Sequence, residues 1–198
     1  MALFVKRFVI GFKLETVFPS WFVAGVGIVV ASVTSPVMGA KLLGQVLFYL
    51  GFFLYLIILV VVIYRMLKIK PIPEPARPTI AILTAPMSLC LAGYFSVFDQ
   101  RAALLVYIML AVAVVCYIYV TVNMFSLLRL KFYPTYAAFT FPYVISAVAF
   151  NSANAFLMES GYNFLQFMPK IAEWIAIAAV IYVLIRFAAF LFFVKATS

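Results

Sequence analysis

Pro78-Thr79-Ile80-Ala81-Ile82-Leu83-Thr84-Ala85-Pro86 and Pro134-Thr135-Tyr136-Ala137-Ala138-Phe139-Thr140-Phe141-Pro142 carry one device twice: a proline, a mostly apolar run, and a second proline eight residues on. The opening prolines stand 56 residues apart, and 59 residues before Pro78 a third opening reads Pro19-Ser20-Trp21, with Gly27 at the offset of the second proline. Self-similarity at a steady period marks a repeated supersecondary unit. Each opening segment is followed by another long apolar run without internal proline. The chain is therefore expected to fold as three helical hairpins, over about 19–66, 78–129 and 134–195, within a single membrane domain covering 1–198.

Working outward from these stretches, hydropathy sets the class. Crossing about 30 Å of hydrocarbon takes about 20 helical residues. Six segments qualify: Trp21–Ala40, Leu43–Tyr64, Thr79–Phe98, Ala103–Phe125, Thr135–Met158 and Ile171–Val194. Their apolar content is near-continuous, whereas the strands of a membrane barrel would alternate with a period of two. Hydrophobic residues make up 69% of the chain and charged ones only 10%, which leaves too little polar surface for a water-soluble domain. The fold class is all-α integral membrane, with about six transmembrane helices.

Charge placement gives the orientation. Lys6, Arg7, Lys13, Arg65, Lys68, Lys70, Arg77, Arg129, Lys131 and Lys195 fall on one side of these spans, against Lys41, Arg101 and Lys170 on the other. Basic residues accumulate in cytoplasmic loops, so both termini are expected in the cytoplasm. The net charge of +9 is mostly this topology signal, since the basic residues flank spans instead of forming one face for nucleic acid. Met1–Phe12 has no small-residue cleavage site ahead of a soluble remainder and reads as an amphipathic lead-in.

An opening proline is harmless in a first helical turn, where its missing N–H would be unpaired anyway. A second proline eight residues further removes a backbone bond and bends the helix about 12 Å from the cytoplasmic end. Kinks persist in lipid where neighbouring helices, hydroxyls or a watery cavity satisfy the freed carbonyls, and Thr84 and Thr140 are placed to help. The odd-numbered spans are thus expected to be interior and to line something, and the even ones to face lipid. The structural alternative is that the kinks only improve packing.

The chemical inventory narrows the function. There is no histidine, and Cys90 and Cys116 stand alone within spans, so neither a zinc site nor a cysteine–histidine nucleophile can be assembled; no metal, cofactor or enzymatic chemistry is indicated. Glu15, Glu74, Asp99, Glu159 and Glu173 lie in connections or at helix ends, which disfavours a cation site or proton relay at mid-membrane. For an anion, what remains is the partial positive charge of the odd-helix N-termini at the cytoplasmic mouth and the basic loop residues nearby. Arg186 is the one charge well inside a span; it either snorkels to the interface, pairs between helices, or stands at a pore mouth. Asn123, Asn151 and Asn154 suit inter-helical hydrogen bonds, and Asn151 and Asn154 could also reach a lumen.

Val17-Phe18-Pro19-Ser20-Trp21-Phe22-Val23 with Gly25-Val26-Gly27-Ile28-Val29, then Arg77-Pro78-Thr79-Ile80-Ala81-Ile82-Leu83 with Ala85-Pro86, then Ala138-Phe139-Thr140-Phe141-Pro142, together resemble the tellurite-resistance/dicarboxylate transporter family, in order along nearly the whole chain. That family includes slow-type anion channels of plant guard cells and malate and sulfite exporters. The resemblance implies a plasma-membrane channel or carrier for small anions: C4-dicarboxylates such as malate, tellurite- or sulfite-like oxyanions, or inorganic anions. It implies five hairpins whose kinked inner helices form a pore within each protomer, protomers associating as trimers, Phe141 as the pore plug, and Gly27, Pro86 and Pro142 as the inner-helix kinks. Thr84, Thr140, Asn151 and Asn154 are the candidate lining residues and Arg186 the candidate mouth charge. Three hairpins stand here against the family's five and resemble its spans five to ten. The expectation is a truncated or split chain completed by a four-span N-terminal partner or by an oligomeric rearrangement. The alternative is a non-conducting membrane subunit or scaffold.

Overall fold

The computed structural model describes residues 14–69 and 72–194. The lead-in read over Met1–Phe12, with Lys6, Arg7 and Lys13, lies outside the described residues, as do Lys70 and Lys195. Seven α-helices are present among the described residues: α1 (Trp21–Val26), α2 (Val29–Thr34), α3 (Lys41–Lys68), α4 (Ala85–Val97), α5 (Ala103–Leu128), α6 (Phe141–Glu159) and α7 (Met168–Val194). Two 3-10 segments, Glu74–Thr84 and Pro134–Phe139, run directly into α4 and α6. Among the described residues, five stretches are long and apolar enough to cross a bilayer: Lys41–Lys68, Glu74–Val97, Ala103–Leu128, Pro134–Glu159 and Met168–Phe192.

The sixth expected span, Trp21–Ala40, is not one helix. It is α1 and α2, joined at Gly27–Ile28 and followed by turns through Gly39. The segment still runs the full height of the bundle. Phe18, just before it, lies 5.1 Å beneath the Arg65 guanidinium. Arg65 is 24 residues along α3 from Lys41, about 36 Å at the rise of an α-helix. The break has a steric cause. A Cβ at residue 27 would collide with the Val23 carbonyl oxygen, and beyond the glycine the amides of Val30 and Ala31 bond three residues back, to Gly27 and Ile28, at 3.1 and 3.0 Å. The turn tightens where only glycine lets the backbone close in.

Inner and outer elements separate as the sequence expects. The two proline-opened spans are 72% and 50% buried over their most apolar windows, against 22%, 33% and 17% for α3, α5 and α7. The outer helices present Leu43, Phe53, Val60, Val115, Val122, Trp174 and Leu184 outward. In lipid such faces need no polar cover. Helix association there depends on close contact, which small residues permit. Here α2 is wedged between α3 and α4: added Cβ atoms at Gly51 and Gly93 would both strike the side chain of Val29.

The prolines act differently from the expected mid-helix kink. Pro86 and Pro142 each stand in the first turn of a new α-helix, where the missing N–H costs nothing. Inside a continuous α-helix each ring would have struck the carbonyl four residues back. The chain avoids this by running as 3-10 helix up to the break and restarting as α-helix after it. At about 2.0 Å rise per 3-10 residue, Pro78 to Pro86 covers about 16 Å, which places the break deeper than the expected 12 Å. Thr140 takes φ −82°, ψ −82°, outside the α basin, and is the sharper of the two joints.

Each end of the bundle is tied across hairpins. At one end, Tyr133 donates its hydroxyl to Glu74 at 3.0 Å and Thr135 to the Pro75 carbonyl at 2.6 Å. Arg65, Lys68, Arg77, Arg129 and Lys131 lie at this end, hereafter the basic end. At the other, Gln45 donates to the Val97 carbonyl at 2.9 Å and Lys41 pairs with Asp99. The hydrogen bond and charge of Lys41 hold the Asp99 carboxyl below its ordinary range. A carboxyl with a lowered folded-state value adds stability above the ordinary carboxylate range, about pH 4, and loses it as pH falls through the lowered value. Acid thermal-melt profiles of the purified protein should therefore show a small destabilisation that Asp99→Asn removes. The effect is small because both side chains are exposed.

Candidate functional site

The three breaks meet. Gly27 from the α1–α2 joint, Ala85 and Pro86 from the start of α4, and Phe141 and Pro142 from the start of α6 line one cavity of about 430 Å³. Phe22, Val23, Val26, Val30, Ile82, Leu89, Ala137 and Ala138 also line it, and none of the described lining residues is charged. Tertiary structure thus brings together residues 27, 86 and 142, which share only their offset within three repeats, with Phe141 one residue before the last. Phe141 lines the cavity and is 47% exposed.

Behind this wall a buried polar link joins α4 to α6. Ser88 and Ser146 are fully buried and their hydroxyl oxygens lie 3.0 Å apart. Ser88 donates to the Thr84 carbonyl at 2.8 Å, and Ser146 lies 2.8 Å from the Pro142 carbonyl and 3.3 Å from that of Thr84. The Thr84 carbonyl, at the α4 break, therefore lies within hydrogen-bond reach of hydroxyls from both inner helices. Thr84 and Thr140 also serve the breaks, donating to the carbonyls of Ala81 and Ala137 at 3.1 and 2.8 Å. Ser146→Ala should lower stability by about 1 kcal/mol, the usual net value of one such bond. In a double-mutant cycle with Ser88→Ala the two losses should not add, which thermal melts of the four variants would read.

The remaining candidate residues lie elsewhere. Thr84 and Thr140 stand beside the breaks and are not among the residues lining the cavity. Asn151 faces a second groove of about 420 Å³ between α6 and α7, together with Glu173, Val148 and Ile177. Asn154 points its Nδ2 at the Met158 sulfur, 3.4 Å away, and its buried Oδ1 has no partner. Phe141, Val144, Val148 and Asn151 share one exposed face of α6. Arg186 is enclosed by the rings of Phe132, Tyr136 and Tyr182, 5.7, 5.6 and 5.7 Å from its guanidinium carbon. Its position is fixed by cation–π contact, away from the residues lining the cavity.

Two features escaped the sequence reading: the Ser88–Ser146 link, and the glycine faces that seat α2. Each is a small residue one or two turns beyond a break or facing one. For the serines, small polar residues just inside the inner helices were the available signal.

Broken inner elements converging on an apolar cavity, wrapped by unbroken lipid-facing helices, define a multi-pass membrane protein of the channel and carrier class. The chain belongs to the voltage-dependent anion channel family, whose sequence profile matches residues 1–192. It is also similar to two uncharacterized transporters of Methanocaldococcus jannaschii, at 34% identity over 85 residues. The aligned stretch covers 38% of this chain and 25% and 24% of those two proteins. No solved structure matches the chain.

Proposed function

We propose that this chain supplies the inner wall of a pore for small anions, with Phe141 as its gate and Gly27, Pro86 and Pro142 as the breaks that make room. The observation that carries the reading is the convergence of those four residues on one cavity. A second supports the sign of the permeant ion. The α-helical start of α6 lies at the cavity itself, at Phe141, where Thr140 leaves the helical basin; α4 instead continues its 3-10 segment, the Ala85 N–H donating to the Ile82 carbonyl. Helix N-termini carry partial positive charge, and broken membrane helices use it to hold anions at depth. Among the described residues, no carboxylate lines the cavity to oppose it.

The permeant ions proposed are inorganic anions, C4-dicarboxylates such as malate, and oxyanions of the sulfite and tellurite type. The orientation proposed has the basic end in the cytoplasm, in the plasma membrane, with both termini on that side. The open face of α6 favours a pore that is closed by further subunits, either a complementary four-span chain or copies of this one arranged as a homotrimer. A non-conducting scaffold is the competing reading, favoured by that same exposed face.

Chloride and malate flux in proteoliposomes separates these readings. Flux from the chain alone supports a conducting homo-oligomer, and flux only with a four-span partner supports a split pore. Silence under both conditions overturns the pore reading in favour of the scaffold.

A further inference from the structure

At the basic end, a cavity of about 260 Å³ opens between the connection that precedes the second inner span and the outer face of α5. Arg77, Tyr119, Asn123 and Ser126 line it, with Ile80 and Leu127 among its apolar walls. None of these residues takes part in the cavity at the breaks.

Its polar groups form a graded set. Arg77 is exposed at the rim, and its Nε–H donates to the Ile72 carbonyl at 3.4 Å. This anchors the guanidinium and leaves its four terminal N–H groups without a described protein acceptor. Glu74, the nearest acid in sequence, takes the Tyr133 hydroxyl instead and does not line the cavity. Asn123 spends one N–H on the Tyr119 carbonyl at 2.7 Å and keeps the other, and Ser126 donates to the Asn123 carbonyl at 2.8 Å. Tyr119 lies nine residues before the end of α5, about 13 Å deeper, and is 48% exposed. The cavity is therefore cationic at the membrane surface and apolar and aromatic below it. That is the order of groups in a phospholipid: phosphate, then glycerol, then acyl chain.

We propose that this cavity binds the phosphate of an anionic phospholipid in the leaflet at the basic end, with Arg77 as the phosphate ligand and Asn123 as a supporting donor. A planar guanidinium with free paired donors suits a phosphate better than a lysine would. Tyr119 and Ser126 of its wall are exposed on α5, where lipid lies alongside, and the apolar wall gives a lipid a stake that a free phosphate lacks.

Native mass spectrometry of the purified full chain tests this, with phosphatidylglycerol as probe and phosphatidylcholine and inorganic phosphate as comparators. One phosphatidylglycerol should be retained saturably. Arg77→Gln should weaken it about tenfold, the scale of one charge-assisted contact. Ser126→Leu, which fills the cavity while keeping the charge, should weaken it similarly, and Arg129→Gln should leave it unchanged. The proposal is overturned by wild-type retention in either Arg77→Gln or Ser126→Leu. It is overturned equally by equal retention of phosphatidylcholine, or by displacement with millimolar inorganic phosphate, which would mark a site for soluble anions.

Discussion

Phe141→Ala, measured in the assembled pore, is expected to raise chloride flux about tenfold. Burying a phenylalanine fully is worth about 1.5–3 kcal/mol, and a ring that is half-buried holds roughly half of that. If the ring must leave the cavity before an anion passes, its removal subtracts about 1.4 kcal/mol from the barrier, which is tenfold in rate. The substitution should spare the fold, because Phe141 opens α6 and its neighbour Pro142 keeps the first turn in place. Stopped-flow flux assays on paired proteoliposome preparations would read the change directly. Equal flux in the two proteins would remove Phe141 from the gate while leaving the cavity as a pore element.

The other large effect concerns stability. Gly51→Ala should destabilise the protein by about 1–3 kcal/mol, the usual cost of forcing a methyl into a packed site. The new Cβ would strike Val29, with Ile28 also close at 3.2 Å, and α2 is held on its opposite side by Gly93 against the same valine. Val29 cannot turn aside, since a β-branched side chain in a helix has one strongly preferred rotamer. Val29→Ala, harmful alone, should therefore recover part of the loss when combined with Gly51→Ala. Simple addition of the two losses in thermal melts would contradict the wedge described here.

The division into inner and outer elements could be read from the chain because it rests on local chemistry. Proline spacing is visible in sequence, and a helix that is Leu, Val, Ile and Phe all round has no reason to face anything but lipid. The conformation between the prolines was not visible in the same way. A proline eight residues into an apolar run is compatible with a bent α-helix or with a 3-10 segment that restarts, and neighbouring elements decide between them. The first inner span misled for a related reason. Trp21–Ala40 has the length and hydropathy of a helix, and the contact between residue 27 and the Val23 carbonyl that divides it depends on backbone geometry. Ser88 and Ser146 lie 58 residues apart, and only the packing of α4 on α6 makes them partners.

Because α6 begins at the cavity, the attraction proposed for anions resides in its peptide dipoles. A peptide dipole has no proton to gain or lose over the biological pH range, and no single substitution deletes it. Side chains around the cavity can therefore diverge freely in size, setting which anion fits, while the sign of the field is inherited with the backbone trace.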